Sequence, residues 1–391
     1  MRLALDDFLA AREADLLAVR RHLHAHPELG RTEYETTALL VGRLEAAGLR
    51  PRVLSAGTGL VCDIGRGDGP MVGLRADLDA LPLQDEKDVV YRSTRAGICH
   101  ACGHDLHTTI LLGVALALAE RDRTEPLPGT VRCIFQPAEE LSTGALDVIA
   151  DGALDGVRSV FALHCDPQLE TGRVAVRTGA ITGAADAVEI AVHGPGGHTA
   201  RPHLTADLTY VISRVITDLP AALSRLADPR TGTSLVFGMV SAGTTANVIP
   251  STAVARGTLR TLDRDAWDHA PKLLERLLES VVGPFDVRWE LNYRRGTPPV
   301  INDAGATALL AAAGTTQLGD GRVVDTPQSL GGEDFAWYLE HVPGSMARLG
   351  VRIPGTELDL HAGAFDADER AIGVGVRVLT QTAFDALQRH G

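Results

Sequence analysis

One ten-residue stretch, "HACGHDLHTT" at residues 100–109, concentrates side chains that can bind a metal ion. It holds three histidines, a cysteine and an aspartate, in a chain with only 5 cysteines and 14 histidines. Thiolate and imidazole are the ligands that zinc and similar divalent ions prefer. Any one of these residues can have a plain structural role, since Asp105 or Thr108 would cap a helix. The whole set, above all Cys102 and His104, favours a metal site.

Three further segments add polar side chains, two of them at the ends of predicted strands and one after a short apolar alternation. "FQPAEE" sets Glu139 and Glu140 side by side at a turn. This pair is either a solvated acidic turn or part of a catalytic site. In a catalytic site, one carboxylate would bind metal and its neighbour would be the general base. His164 in "FALHCD" and His361 in "LDLHAGAFD" complete the set, although each alone is ordinarily a satisfied polar group.

Together these segments supply enough donors for two metal ions that share a bridging ligand and each keep an open position. Two ions roughly 3.5–4 Å apart suit hydrolysis by a hydroxide held between them. The candidate donors are Cys102, His104, Glu140, His164 and His361.

The middle of the chain offers a second group of candidates. "VHGPGGHTARPH" at residues 192–203 is a glycine-rich loop that carries His198, and it is equally well read as a structural turn. Asn247 precedes an X-Pro turn in "TTANVIP", and Arg260 lies on a predicted strand in "ARGTLRT". Both can be plain turn or surface residues.

We interpret the polar residues of two other segments mainly as structural. Glu333 and Asp334 fit the first turn of a predicted helix over residues 334–340, where the helix dipole favours acids. The histidines of "RHLHAHPELG" are spaced by two, which scatters them around a helix axis, so a shared metal is not expected. We interpret them as structural or as a pocket wall.

Bulk properties limit the class of protein. The 391 residues exceed what one compact core usually serves, so two domains are expected. The net charge of -13 argues against a nucleic-acid surface. No apolar stretch is long enough to span a membrane, and the N-terminus lacks the apolar core of a signal peptide. Five cysteines give no disulfide framework, and we predict a cytoplasmic protein.

Strand and helix patterns alternate along both ends of the chain, which predicts an α/β layer with a mostly parallel sheet. The predicted helices there are residues 7–25, 36–47, about 108–120, 145–150, 304–313, 334–340 and 370–388. The predicted strands are residues 60–64, 71–75, 130–136 and 159–164.

In the middle of the chain, the patterns predict strands and helices in the order βαββαβ, which is typical of a self-contained ferredoxin-like unit. Its predicted strands are residues 187–192, 235–240, 253–260 and 287–293, with helices over 206–226 and 265–282. We therefore predict an inserted α+β domain over residues 184–295, and a discontinuous catalytic domain over residues 1–183 and 296–391.

As a set, the motifs resemble the M20 metallopeptidase family, and specifically its amidohydrolase branch of hippurate, N-acyl-amino-acid and auxin-conjugate hydrolases. They run in family order from about residue 20 to 375. The matching pieces are "RRHLHAHPELG", "GLRADLDALP", "HACGHDLHTT", "QPAEE", "LH" at 163–164, "GPGGHTARPH", "NVIP", "GTLRT", "GGEDFA" with "VPG", and "LH" at 360–361.

The resemblance implies a zinc-exopeptidase-like catalytic domain that holds two divalent ions, zinc or manganese, with cobalt and nickel as alternatives. Cys102 would bridge the two ions, and His104, Glu140, His164 and His361 would complete both sites. Glu139 would be the general base and then the acid. The substrates would be N-acyl amino acids, cleaved to a carboxylate and a free amino acid.

The resemblance also implies a homodimer formed through the inserted domain. His198 would enter the partner subunit's site and stabilise the oxyanion, and Asn247 and Arg260 would contact substrate. No nucleic-acid or membrane partner is expected.

One departure is that Arg75-Ala76-Asp77 stands where the wider family has a metal-binding His-x-Asp. This fits the amidohydrolase branch and leaves Asp77 to orient a ligand or the base from behind. Pro195 and Ala362 also differ from the expected pattern, but neither is a proposed ligand.

Three alternatives stay open at this point. A biosynthetic deacetylase or an aminopeptidase would use the same scaffold and ligands. A non-catalytic metal-binding protein would have no need of Glu139 beside its ligand. A redox role for the Cys99–Cys102 pair lacks the thioredoxin-like pattern that ordinarily precedes it.

Overall fold

The computed structural model describes residues 3–67 and 69–391, which form two compact units. One unit comprises the chain up to Ile181 together with Ile301–Pro327 and Asp334–Gly391. The other comprises Thr182–Val300 and Gln328–Glu333. The sequence predicted an insertion over residues 184–295, and it gave no sign of the short second segment.

Helices and strands alternate through most of the described chain. The helices are α1 (Asp6–Ala25), α2 (Tyr34–Ala46), α3 (His104–Thr124), α4 (Gly144–Ala150), α5 (Leu208–Leu226), α6 (Arg264–Val282), α7 (Ala304–Leu318), α8 (Ala336–Leu339) and α9 (Ala371–His390). The strands are β1 (Arg52–Val53), β2 (Leu60–Ile64), β3 (Met71–Asp77), β4 (Thr130–Gln136), β5 (Val157–Glu170), β6 (Val174–Val176), β7 (Gly179–Thr182), β8 (Ala184–His193), β9 (Gly197–His198), β10 (Ser234–Ala242), β11 (Val248–Ile249), β12 (Thr252–Thr261), β13 (Arg288–Thr297), β14 (Val300–Asn302), β15 (Val323–Asp325) and β16 (Gly344–Arg352).

The first unit is built on an eight-stranded sheet in the order β1-β2-β4-β3-β5-β16-β6-β15. At its centre β3 pairs in parallel with β4 and β5, and β5 pairs in parallel with β16. These strands are buried along almost their whole length, as expected for a sheet covered on both faces. The predicted α/β class with a mostly parallel central sheet is confirmed.

The parallel pairing brings the carboxyl ends of β3 and β4 to one edge of the sheet, beside the middle of β5. Asp77 is level with Gln136 at the end of β4, and Arg75 is level with Ala162 on β5. Polar side chains that follow these strands therefore meet, as at other sites of open α/β sheets. The prediction that β5 ends at His164 is wrong, because the strand continues to Glu170.

Helix α3 begins at His104, four residues before its predicted start near Thr108. Every residue from 104 to 119 is buried, including the polar residues of the first turn. A helix that is buried all round has no polar stripe, and its polar first turn reads as a loop in the sequence. His104 of the predicted metal-binding motif is therefore part of the helix, whereas Cys102 precedes it.

The second unit contains a four-stranded antiparallel sheet in the order β10-β12-β8-β13. Helix α5 connects β8 to β10, and helix α6 connects β12 to β13. Side chains of α5 at three- and four-residue spacing are buried against the core, namely Leu208, Val211, Ile212, Val215, Leu219 and Leu223. Asp207 caps this helix by accepting the backbone N–H of Tyr210.

Strand β16 was not predicted, although it lies beside β5 near the middle of the sheet. Its sequence, GSMARLGVR, interrupts the apolar run with Ser345 and Arg348. The buried Ser345 hydroxyl is paired with the hydroxyl of Thr307 on α7, at 3.0 Å.

Among the described residues, no helix is both long enough and apolar enough to cross a bilayer.

Candidate metal centre

Two histidines at the sheet edge have one ring nitrogen fixed by the backbone and the other available. His104, the first residue of α3, places Nδ1 at 2.9 Å from the carbonyl oxygen of Asp79. His164 on β5 places Nδ1 at 2.8 Å from the carbonyl oxygen of Cys165. A carbonyl accepts only from a protonated nitrogen, so in each neutral ring the lone pair is on Nε2. In metal-binding histidines, a hydrogen bond from the nitrogen that does not bind the metal orients the ring and fixes its tautomer.

Cys102 lies close to both of these histidines and precedes His104 by two residues. Its Sγ atom is 3.6 Å from Nε2 of His164, and its side chain is buried. Burial raises the pKa of the Cys102 thiol to about 12, whereas burial lowers the pKa of His164 well below its usual value. His164 is thus held in its neutral, ligating form, while Cys102 would lose its proton only to a bound cation.

Glu139 and Glu140 follow β4 and face the same ring. Oε2 of Glu139 lies 3.9 Å from Nε2 of His104, and Oε1 of Glu140 lies 4.0 Å from that atom. On its other side, Oε1 of Glu140 is 3.3 Å from Nε2 of His361. The two neighbouring carboxylates therefore lie close to the predicted histidine ligands.

His361 reaches the site from a loop with an unusual backbone. Its φ angle of 59° lies in the left-handed region, which is uncommon for a residue other than glycine. The His361 N–H donates to the carbonyl oxygen of Ala101 at 2.8 Å, which ties the loop to the residue beside Cys102. Such strained positions persist where the surroundings fix them, and they are concentrated at functional sites.

The donor atoms are close enough to share metal ions. Three overlapping groups of side chains bring all their ligand atoms within 4.8 Å of one another. These groups are Cys102, His104 and His164; Cys102, Glu140 and His361; and His104, Glu139 and Glu140. Cys102, His104 and Glu140 each belong to two of these groups, so each could contribute to more than one ion.

The electrostatics of the site also fit divalent cations. The buried Nε2 of His104 has no hydrogen-bond partner among the described residues. Burial lowers the pKa of His104, but the charge of Asp77 and contacts with the side chains of Asp79 and Cys102 outweigh burial and raise this pKa well above its usual value. Surroundings that hold a proton on a buried imidazole are those that attract a metal cation in its place. The residues present therefore fit a metal centre.

Asp77 lies behind the site and touches residues next to the candidate ligands. Its Oδ1 atom accepts from Nδ1 of His107 at 2.6 Å, and His107 in turn accepts the N–H of Cys165 at 2.8 Å. Through His107, Asp77 thus fixes the strand segment that carries His164. Oδ2 of Asp77 is 3.7 Å from Nε2 of His104, which is too long for a hydrogen bond.

Asp334 does not have the helix-dipole role that the sequence suggested. It precedes α8, which is only four residues long, and it is fully buried. Its carboxylate accepts from Nη2 of Arg75 at 2.9 Å and from Nε2 of Gln136 at 2.8 Å, and Arg75 also donates to Asp77 at 2.6 Å. Arg75 therefore neutralises two buried carboxylates behind the metal centre.

A second buried ionic network lies under the first turn of α3, and the sequence did not reveal it. Asp105 is 2.9 Å from Nε of Arg20, and one of its oxygens accepts from Nδ1 of His24 at 2.7 Å. His100 lies nearby with its ring centroid 6.2 Å from that of His24, and burial lowers the pKa of His100 to about 3. This network anchors the helix end that carries His104.

The remaining candidates, His198, Asn247 and Arg260, belong to the second unit. The exposed His198 pairs with Val248, and the N–H of Thr199 donates to the Asn247 carbonyl at 3.3 Å. The N–H of Ala200 donates to Nδ1 of His198 at 3.0 Å, so a neutral His198 ring has its proton on Nε2. Arg260 on β12 donates to the carbonyl of Leu330.

Thiol, imidazole and paired carboxylate groups meet at one edge of the sheet. This combination is typical of metal-dependent hydrolases of the α/β class. Residues 73–385 match the model of "Peptidase family M20/M25/M40". The chain belongs to this family, as the sequence motifs predicted.

Comparison with known proteins agrees with this assignment. The N-acetyl-L-cysteine deacetylase of Bacillus subtilis is 40% identical over 366 residues, which cover 93% of this chain and 86% of the relative. The crystal structure of the Bacillus subtilis YxeP protein, described as a dinuclear metal-binding peptidase of the M20 family, has a TM-score of 0.85 and 35% identity. That match covers 97% of this chain and 99% of YxeP.

Another relative is considerably longer than this chain. A Rhodococcus jostii protein named as a glutamate–cysteine ligase is 47% identical over 369 residues. The match covers 94% of this chain but only 46% of that relative. This chain thus corresponds to less than half of that relative, whose name refers to the full-length protein.

Proposed function

We propose that this protein hydrolyses the amide bond of N-acyl amino acids, releasing a carboxylate and a free amino acid. The observation that carries the proposal is the approach of Glu139 and Glu140 to one nitrogen, Nε2 of His104, at 3.9 and 4.0 Å. Two adjacent carboxylates beside one imidazole nitrogen can divide the two roles, one binding metal and the other acting as the base, which supports the proposal. Membership of the family and the similarity to an N-acetyl-L-cysteine deacetylase support the choice of substrate class.

Two divalent ions would be held at the centre, with Cys102 shared between them. Their other ligands would be His104, Glu140, His164 and His361. When bound, such ions polarise the scissile carbonyl and make the attacking water more acidic. The thiolate and imidazole donors suit zinc, and the carboxylates also admit manganese, cobalt or nickel.

The protein's own groups would move the proton and hold the substrate. Glu139 would take a proton from the attacking water and later give it to the leaving amine. The partner's His198 would donate from Nε2 to the developing oxyanion, because its Nδ1 already accepts a backbone N–H. Asp77 would orient the centre from behind, and Asn247 and Arg260 would contact the substrate.

Metal analysis paired with an amino-acid release assay tests this function. The purified protein is reconstituted with zinc or manganese and offered N-acetyl, N-benzoyl and indole-acetyl amino acids, with ninhydrin detection of the free amine. We expect close to two ions per chain and release from at least one acyl class, abolished in a chelator-treated control. Absence of bound metal after reconstitution, or two ions with no release from any acyl class, would contradict the proposal.

We further propose that the protein is a homodimer formed through the second unit. Strand β10 lies at an edge of its sheet and exposes three apolar side chains, those of Val236, Met239 and Val240. An edge strand with exposed apolar residues is typical of a surface that another strand covers.

Replacing Val240 by Asp should therefore shift the protein from dimer to monomer, because a charge would be buried at the interface without a partner. Size-exclusion chromatography with light scattering measures the mass. Val90→Asp is the matched control, since Val90 lies in the first unit and is 98% exposed. A monomeric wild type, or a Val240→Asp dimer of unchanged affinity, would exclude β10 from the interface.

A further inference from the structure

The turn that carries Glu139 and Glu140 is held by two buried carboxylates from elsewhere in the chain. The N–H of Ala138 donates to Oε1 of Glu33 at 2.8 Å. The N–H of Glu139 donates to Oδ1 of Asp79 at 3.1 Å, and the N–H of Glu140 donates to Oδ2 of Asp79 at 3.0 Å. Three consecutive backbone donors are thus satisfied by only two side chains.

This turn has a backbone that needs such support. Ala138 and Ser142 both lie in the left-handed region, with φ angles of 54° and 57°. The turn is also tight, because a Cβ atom added to Gly144 would lie 1.6 Å from the carbonyl oxygen of Pro137. Left-handed positions at residues other than glycine cost energy and persist only where surrounding contacts fix them. The two backbone N–H bonds to the Asp79 carboxylate are contacts that can supply this support.

Asp79 also reaches the third component of the centre. Its backbone carbonyl accepts from Nδ1 of His104 at 2.9 Å. Asp79 is 1% exposed and follows β3 by two residues, so its main chain is fixed by the sheet. A Cβ atom added to Gly30 would lie 3.1 Å from Oδ2 of Asp79, which shows how closely its carboxylate is packed.

We propose that Asp79 is a positioning residue, which sets the backbone of Glu139 and Glu140 relative to the ring of His104. The proposal rests on the proposed function for its catalytic consequence, but its effect on metal binding does not depend on the substrate. Both carboxylate oxygens of Asp79 accept N–H bonds, so Asp79 acts through the residues that touch metal and substrate. Loss of its side chain leaves the bond from His104 to the carbonyl of residue 79. It removes the 3.3 Å contact between Oδ1 of Asp79 and Nδ1 of His104, and the glutamate turn loses two of its three anchors.

Asp79→Asn tests the proposal, because the amide keeps the shape but replaces one accepting oxygen with an NH2 group that faces a backbone N–H. We expect affinity for Co²⁺, titrated into the apoprotein and followed by the cobalt absorption bands, to fall about 10–100-fold. At saturating metal, we expect kcat to fall about tenfold or more while KM changes less than about threefold. A purely structural role would lower the melting temperature without this separation of kcat from KM.

Asp186→Asn is the matched control for loss of a buried carboxylate. Asp186 is 1% exposed and lies in the second unit, where its carboxylate accepts from the backbone N–H of Gly296 at 2.8 Å and from Nε1 of Trp267 at 3.0 Å. We expect this variant to lose stability but to keep its Co²⁺ affinity. Equal losses of Co²⁺ affinity in both variants would overturn the proposal, as would Asp79→Asn with unchanged Co²⁺ affinity.

Gly30→Ala supplies a second test if Asp79→Asn does not fold. The added methyl group pushes on Oδ2 of Asp79 and on Cα of Ala138, each 3.1 Å away, without changing any charge. We expect Co²⁺ affinity to fall about threefold or more, in the same direction as for Asp79→Asn. Unchanged affinity would overturn the proposal. If the wild type cleaves no N-acyl amino acid, the cobalt titrations still decide the role of Asp79 independently.

Discussion

Glu139→Gln should lower kcat by about 10²–10⁴-fold while the protein keeps both metal ions. The amide is nearly the same size and shape as the carboxylate, so packing around the mostly buried Glu139 should survive. Glutamine cannot take a proton from water or return it to the leaving amine. Because Glu139 is proposed as a base and not as a ligand, turnover should be lost without loss of metal.

Glu140→Gln is the matched control, since it makes the same chemical change one residue further along the chain. Glu140 lies 3.3 Å from His361 and 4.0 Å from His104, so this variant should lose metal as well as turnover. Metal content by mass spectrometry and kcat by amine release distinguish the two results. A Glu139→Gln variant with near-normal kcat, or one that loses metal as Glu140→Gln does, would refute the assignment of the base.

The sequence was informative where local pattern and chemistry coincide. The apolar runs that became β3 and β4 are bounded by turn residues, and Glu139 lies three residues after the end of β4. Because parallel strands end at the same edge, the polar residues that follow them can be grouped without knowing the tertiary structure. The clustering of Cys102, His104, Glu139 and Glu140 could be anticipated in this way.

The sequence was misleading where burial of polar groups depends on distant partners. Asp334 lies 259 residues from Arg75, and no local pattern indicates that the two form a buried ion pair. Helix α3 was predicted to begin too late because His104 and Asp105 are polar, yet both are buried against partners from other segments. Burial of such groups is stable only when a partner is present, and the partner is a property of the fold.

Asp79 shows the same limit within a motif that was recognised. It stands in "GLRADLDALP", two residues after Asp77, and nothing in the spacing distinguishes the two aspartates. In the structure Asp77 contacts His107 and Arg75, whereas Asp79 contacts the backbone of the glutamate turn. Only the direction of each side chain separates these roles, and that direction is set by the turn after β3.

Cys102→Ala should lose both metal ions and activity, because one thiolate is proposed to be shared by the two sites. Its Sγ atom lies 3.6 Å from Nε2 of His164, and Cys102 belongs both to the ligand group of His164 and to that of His361. Removing His164 or His361, each of which belongs to only one of the three ligand groups, should weaken one site, whereas removing a shared ligand should affect both. Metal content after reconstitution, measured against protein concentration, gives the number of ions retained per chain.

Cys99→Ala is the matched control, because Cys99 is equally buried and only three residues away. That variant should keep two ions per chain and normal kcat. Burial raises the pKa of Cys102 to about 12, so metal binding must displace the thiol proton. Wild-type metal affinity should therefore rise with pH through the neutral range, and any metal affinity that remains in Cys102→Ala should rise less steeply. Full occupancy of both sites in Cys102→Ala would show that this thiolate is not the bridge, and the two ions would then need a carboxylate to join them.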